Sequence, residues 1–103
     1  MEQKTVEKEI EDAGYEEKKM NRDKKGRVVS VYEITEPMDI KVVFDKSTGK
    51  NSVFKKIGKL AFHYSTGKVV LYRDSELAGK FFCDAIESIK FGNNMRIIRR
   101  KKD

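Results

Sequence analysis

Residues 38–49 have the sequence MDIKVVFDKSTG, in which a regular alternation of side chains leads into a turn. The alternating apolar residues are Met38, Ile40, Val42 and Phe44, and the polar positions are Asp39, Lys41 and Asp45, with Val43 as the exception. A period of two predicts a half-buried β-strand. The Lys-Ser-Thr-Gly sequence at 46–49 predicts a hairpin turn that ends on a glycine at positive φ. These twelve residues therefore indicate an antiparallel sheet with one face on an apolar core.

The segments on either side also have strand character. Residues 27–34 are rich in β-branched side chains, and Glu36-Pro37 is expected to separate them from the strand at 38–45, since proline disfavours ladder pairing. Residues 50–64 are predicted to form one long bent strand or two short ones, with a bulge or bend at Gly58. After a second turn at 65–67, residues 68–73 and 94–99 complete a meander of about five strands.

Helical spacing favours one amphipathic helix over residues 75–90, packed on this sheet. Asp74 or Ser75 supplies a cap at its start, and Gly92 ends it. Its apolar positions are Leu77, Phe81, Ala85, Ile86 and Ile89. Residues 2–13 predict a short, weak helix with an apolar pair four residues apart, and the polar residues 14–26 predict a linker or a mobile arm. The predicted fold is thus α+β, with a polar arm over 1–26 and a single domain over 27–103.

The charge is high and unevenly distributed along the chain. Charged residues make up 39% of the 103 positions, and the formal net charge is +6. Residues 1–26 hold seven basic and eight acidic residues, whereas residues 27–103 hold sixteen basic and nine acidic. A positive domain attracts polyanions such as nucleic acid, although a plainly solvated surface gives the same composition. No apolar run is long enough to span a membrane, and the start lacks the apolar segment of a secretory signal.

Few residues suit catalysis or metal binding. Thr-Gly-Lys occurs at 48–50 and 66–68, but neither copy fits the phosphate-binding loop pattern between a strand and a helix. The single cysteine, Cys83, and the single histidine, His63, are not expected to meet, because the alternation turns His63 away from the core. We therefore predict a protein that is not an enzyme and has no metal, cofactor or small-molecule substrate. One cysteine also favours a reducing, cytoplasmic setting.

Basic and aromatic residues are interleaved in the predicted sheet, which is typical of surfaces that bind single-stranded nucleic acid. Phe54 and Tyr72 are the candidates for stacking on bases. The candidates for phosphate contacts are Lys55, Lys56 and Lys59 beside the Gly58 bend, and Arg96, Arg99, Arg100, Lys101 and Lys102 in the tail. Binding of this kind is largely electrostatic and weakly sequence-specific. Alternatively, the N-terminal segment or a partner chain covers this face.

The predicted order of elements resembles modules in which four strands precede a helix and which bind single-stranded nucleic acid, such as Whirly and PUR-type domains. It resembles a pleckstrin-homology-type roll equally well. The main alternative function is a protein-interaction module (an adaptor, an inhibitor or a homodimer) that uses the sheet edge at 94–99 or an apolar sheet face. Attachment to a membrane surface is less favoured, because the tail offers few large apolar residues for insertion beside its charges.

Overall fold

The computed structural model describes residues 1–92, which form one helix and an antiparallel sheet of six strands. The elements in chain order are α1 (Gln3–Asp12), β1 (Glu16–Arg22), β2 (Val28–Asp45), β3 (Lys50–His63), β4 (Lys68–Arg73), β5 (Glu76–Phe82), a 3₁₀ turn (Cys83–Ala85) and β6 (Ser88–Phe91). Each strand from β1 to β4 pairs with the next one in the chain, and β6 pairs with β2. The predicted α+β meander is confirmed.

The sheet has two parts, and the two longest strands, β2 and β3, each extend through both of them. The first half-sheet contains β1, the start of β2, the end of β3, β4 and β5. The second half-sheet contains the end of β2, the start of β3 and β6. Between them, residues 34–37 of β2 bulge opposite Gly58, and Lys56 has a φ of 55°. Pro37 therefore lies in an irregularity within one strand, and the predicted break into separate strands at Glu36-Pro37 is wrong.

Both half-sheets and α1 contribute to one apolar core. Its members include Tyr32, Leu60, Phe62, Val69, Leu71 and Phe81 from the first half-sheet, Met38, Ile40, Val42, Ile57, Ile89 and Phe91 from the second, and Val6 and Ile10 from α1. The helix is fixed by hydrogen bonds as well as by burial. The hydroxyls of Tyr32 and Tyr64 donate to Glu7 Oε2 over 2.6 Å and 2.5 Å. The predicted N-terminal helix is therefore present, and it is part of the core.

The sheet curls back on itself into a partly closed barrel. β6 follows β5 in the chain but pairs with β2. The chain therefore returns from the β5 edge of the sheet to its second strand. The ring of Phe54 on β3 packs against Gly79 on β5, where a Cβ atom would lie only 2.4 Å from Cε1. Arg73 Nε also donates to the Lys55 carbonyl over 2.8 Å. These contacts join the two half-sheets.

The predicted helix at 75–90 is wrong. The chain forms β5, a single 3₁₀ turn and β6 instead. Asp74 and Ser75, expected to cap a helix, have φ values of 51° and 72° and form the two-residue turn of the β4–β5 hairpin. Leu77 is 69% exposed, whereas Phe81 is buried. Because strands occupy most of residues 75–90, the predicted order of strands followed by a helix at 75–90, which resembled Whirly, PUR-type and pleckstrin-homology modules, is not found.

The predicted linker at 14–26 also differs from the structure. β1 occupies Glu16–Arg22 and pairs with β2, and the hairpin turn between them is closed by Asp23. The Asp23 carboxylate accepts the backbone amides of Lys25 and Arg27. Every β1 side chain is exposed, which explains why the composition of this edge strand resembles that of a linker. The predicted strand at 94–99 lies outside the described residues.

Candidate nucleic-acid interface

The first half-sheet has an outer face, directed away from the core, that consists of three rows of side chains. Residues directly paired across antiparallel strands project to the same side, so the register defines the rows. In order from β1 to β5, the first row is Asn21, Val29, His63, Lys68 and Phe82; the second is Lys19, Val31, Ala61, Val70 and Lys80; the third is Glu16, Glu33, Lys59, Tyr72 and Leu77. We refer to these fifteen residues as the outer face.

The middle of the outer face is apolar and closely packed. Val29, Ala61 and Val70 form a small cluster of their own, each at most 9% exposed, and Tyr72 packs against it. Side chains this small become buried on a sheet surface when longer neighbours lie across them, as the stems of lysines do. The centre is thus a shallow apolar floor with longer polar side chains around it.

Four lysines surround this floor: Lys19, Lys59, Lys68 and Lys80. Among residues 1–92, none of the four ammonium groups is in an ion pair. The only carboxylates of the outer face are at one end of the third row, where Glu16 pairs with Lys18 over 3.2 Å. The first two rows therefore carry positive charge without local compensation, which suits them to bind phosphate groups.

Aromatic rings lie among these lysines. Lys59 Nζ is 5.0 Å from the centroid of the Tyr72 ring, within the range of a cation–π interaction. Phe82 is 39% exposed, so part of its ring is open to solvent. Burial, followed by the charge of Lys68, lowers the pKa of His63, so that its ring is neutral at pH 7. These rings are the kind of surface on which unpaired bases stack.

The structure brings two of the predicted site residues together and places the others elsewhere. Lys59 and Tyr72 are neighbours on the outer face. Lys55 and Lys56 lie at the bend of β3 beside Asp39: Lys55 Nζ is 3.5 Å from Asp39 Oδ2, and the Lys56 amide donates to Asp39 Oδ1. That amide, and then the charge of Lys55, lowers the pKa of the Asp39 carboxyl. Lys55 therefore already has an acidic partner.

Phe54 does not lie on the outer face. Its ring packs against the main core and against Gly79, where it joins the two half-sheets. This position does not fit the predicted stacking of Phe54 on a base. The basic tail residues Arg96, Arg99, Arg100, Lys101 and Lys102 lie outside the described residues.

Sequence reasoning missed Lys19, Lys80 and Phe82 as members of this surface. Lys19 was hidden because the composition of β1 predicted a linker, and the other two because the apolar spacing at 75–90 predicted a helix. A signal for β5 was present nonetheless. In Gly79-Lys80-Phe81-Phe82 the glycine disfavours a helix, and Phe81 alternates with two more exposed neighbours.

Cys83 and His63 are on opposite sides of the sheet. Cys83 belongs to the main core and is 1% exposed, whereas His63 is on the outer face. Burial raises the pKa of the Cys83 thiol to about 11, so it is protonated at neutral pH. Residues 1–92 contain no group of three His, Cys, Asp or Glu side chains arranged to hold a metal ion. In the same part of the chain, no helix has the length and apolar character needed to cross a membrane.

No protein-family model, curated protein or solved structure matches this chain.

Proposed function

We propose that this protein is a small, non-catalytic module that binds single-stranded nucleic acid on its outer face. The observation that carries the proposal is the arrangement, on one side of a sheet, of partly exposed aromatic rings and four lysines that form no ion pair within residues 1–92. Lysines neutralise phosphates, and rings stack on bases at about 1–3 kcal/mol per base. The single buried cysteine fits a reducing, cytoplasmic compartment.

The spacing of the lysines suits an extended strand of nucleic acid. Lys19 and Lys80 stand at the two ends of the second row, four strand spacings apart. At about 4.8 Å per spacing this is roughly 19 Å, enough for several consecutive nucleotides. Lys68 lies in the adjacent first row, so the chain of phosphates is attracted along the β4–β5 side of the face.

Single strands are favoured over duplexes because the rings need exposed base faces. In a duplex the base faces are already stacked on one another, whereas in a single strand they are free to stack on Tyr72 and Phe82. Contacts to phosphate position the chain without reading its sequence. The tail residues Arg96, Arg99, Arg100, Lys101 and Lys102 add positive charge and belong to the proposal as further phosphate contacts.

The test is a titration with fluorescently labelled 12-nucleotide single strands of DNA and RNA, and a matched duplex, at several salt concentrations. The informative variant is Lys68→Ala with Lys80→Ala. Its matched control is Lys41→Ala with Lys90→Ala, which removes two exposed lysines that face each other on the outside of the second half-sheet. Both double variants lower the net charge equally.

Each phosphate contact in a single strand contributes about 0.7 to the slope of log affinity against log salt concentration. The Lys68/Lys80 variant is expected to lower that slope by about 1.4, and the Lys41/Lys90 variant to leave it nearly unchanged. Equal losses in the two variants would mean that the charge acts generically and that the outer face is not the site. Equal affinity for duplex and single strands would contradict the stacking component.

A protein-interaction module is the second candidate, and one observation favours it. Within residues 1–92, β5 has a neighbouring strand on one side only, and Leu77 on this strand is 69% exposed. An open strand edge with apolar side chains can pair with another chain. Sedimentation equilibrium distinguishes the candidates: a dimer that dissociates on Leu77→Lys substitution would favour this alternative, and a monomer at all concentrations would count against a homodimer.

A further inference from the structure

A cavity of about 260 Å³ opens at the third row of the outer face, where the first half-sheet meets the bend. Its lining includes Glu33, Lys59 and Tyr72 from that row, and Asp74 and Ser75 from the β4–β5 turn. Ligand sites usually range from about 300 to 1,000 Å³. This cavity is slightly smaller than that range, a size that suits one planar ring system rather than a length of polymer.

The polar groups of this cavity are not paired with each other. Glu33 and Lys59 are direct neighbours across β2 and β3, but the Lys59 ammonium lies over the Tyr72 ring rather than against the carboxylate. Among residues 1–92, the Glu33 carboxylate has no ion pair and accepts no hydrogen bond. One row thus presents a free carboxylate, an ammonium group and an aromatic ring, in that order.

This carboxylate is out of place on a surface that binds only phosphates. Glu33 would repel a phosphate, whereas the lysines of the first two rows attract one. A carboxylate accepts hydrogen bonds through both oxygens and donates none when ionised. Its natural partner on a nucleic acid is the edge of a base that offers adjacent N–H groups.

We propose that this cavity binds a guanine base of the single strand, an inference that rests on the proposed function. The Watson–Crick edge of guanine has the O6 acceptor beside two donors, N1–H and the N2 amino group. Glu33 accepts from both donors, Lys59 donates to O6, and the base stacks on Tyr72. The flexible Lys59 side chain moves off the ring when the base enters.

The other bases fit this row poorly. Adenine and cytosine each present one amino group beside a ring nitrogen that accepts hydrogen bonds. This nitrogen would face the second carboxylate oxygen of Glu33, and two acceptors facing each other repel. Thymine and uracil present one N–H group between two carbonyl oxygens, and these carbonyls are repelled by a carboxylate. Guanine alone offers the pair of donors that Glu33 can satisfy.

The experiment uses the full chain and a series of labelled thymidine 12-mers that differ at one central position. That position holds thymine, guanine, adenine, cytosine or hypoxanthine, the last being guanine without its N2 amino group. A bidentate contact discriminates by about 1–3 kcal/mol, or about 5- to 150-fold. We expect the guanine oligomer to bind at least fivefold more tightly than the adenine and cytosine oligomers, with hypoxanthine between them.

Glu33→Gln is expected to abolish the guanine preference and, because it removes a negative charge that repels phosphates, to strengthen binding of the all-thymine oligomer slightly. Glu16→Gln is the matched control, because Glu16 is in the same row but does not line the cavity. Both side chains are exposed, so neither change disturbs the core.

The outcomes separate the two proposals. If no oligomer binds at near-physiological salt, the proposed function fails and the cavity assignment fails with it. If all the oligomers bind equally, the outer face remains a nucleic-acid site and the guanine assignment is wrong. A guanine preference that persists in Glu33→Gln, or is lost equally in Glu16→Gln, would likewise overturn the assignment to this cavity.

Discussion

Replacing Gly79 with alanine is expected to destabilise the protein, although alanine is normally accepted at such a position. Gly79 does not have a positive φ. At positions where the native backbone suits alanine, the change from glycine stabilises a protein by about 0.4–1 kcal/mol, because the unfolded chain loses freedom. Here the new methyl group would lie 2.4 Å from Phe54 Cε1 and 2.9 Å from Cδ1. The sign of the effect therefore depends on the Phe54 ring.

The size of the effect follows from the overlap. Carbon atoms that are not bonded to each other prefer separations of about 3.5–4.0 Å, so the ring must move by about 1 Å or more. Overpacking of this kind costs about 1–3 kcal/mol. For a domain of this length, each kcal/mol shifts the melting temperature by about 4–8 °C. The expected decrease in melting temperature is thus about 4–24 °C.

A double-mutant cycle assigns this cost to the contact between β3 and β5. Unfolding by urea, followed by far-UV circular dichroism, gives the free energy of unfolding for wild type, Gly79→Ala, Phe54→Ala and the double variant. In the Phe54→Ala background, Gly79→Ala is expected to be neutral or stabilising. A Gly79→Ala variant as stable as wild type, or one equally destabilised in both backgrounds, would refute the packing of Phe54 on β5 and the closure of the sheet.

Four further predictions concern the core. Tyr15→Phe is expected to cost about 1–3 kcal/mol in urea unfolding, because the buried hydroxyl donates to the Ile57 carbonyl over 2.6 Å; an unchanged midpoint would contradict this bond. Glu7→Leu removes the acceptor of two tyrosine hydroxyls and is expected to cost at least about 1.5 kcal/mol, whereas Glu11→Leu at an exposed helix position serves as the control. Cys83 is expected to react with a thiol reagent at pH 8 far more slowly in the native protein than in urea, and rapid native labelling would contradict its burial. Because folding raises the pKa of this thiol from 9.0 to about 11, the free energy of unfolding also falls as pH rises through that interval.

The meander was predictable because its signals are local and strong. The alternation at 38–45 places Ile40 and Val42 in the core, and Lys41 outside, as the period of two requires. Both Ser-Thr-Gly sequences form the predicted turns, with Gly49 and Gly67 at positive φ. These features depend on neighbouring residues only, so one sequence is sufficient to reveal them.

The helix at 75–90 was mispredicted because two short strands can imitate helical spacing. Phe81, Ile86 and Ile89 are all buried, but they belong to β5, to the residue after the 3₁₀ turn and to β6. The turn at 74–75 uses two residues at positive φ, neither of which is glycine, and so it lacks the usual hairpin signature. The tertiary packing of this segment outweighed its local pattern.

The candidate site was only partly predictable, because it depends on register. Lys59 and Tyr72 were identified from composition, but their contact follows from the pairing of β3 with β4. Lys19 joins the face through β1, an edge strand with no apolar alternation. The sequence gives no signal for Glu33 as a site residue. An isolated acidic residue on a strand can be assigned a role only when the side chains beside it in the row are known.

The most direct test of the outer face as the binding site is to map the contact by NMR. Isotope-labelled protein is titrated with a thymidine 12-mer, and shifts of the backbone amides are followed in a heteronuclear correlation spectrum. Binding on the outer face predicts that the largest shifts fall on Lys68, Val70, Tyr72 and Lys80, while the second half-sheet around Lys41 is unaffected. Shifts confined to the second half-sheet or to residues 93–103 would contradict the central claim.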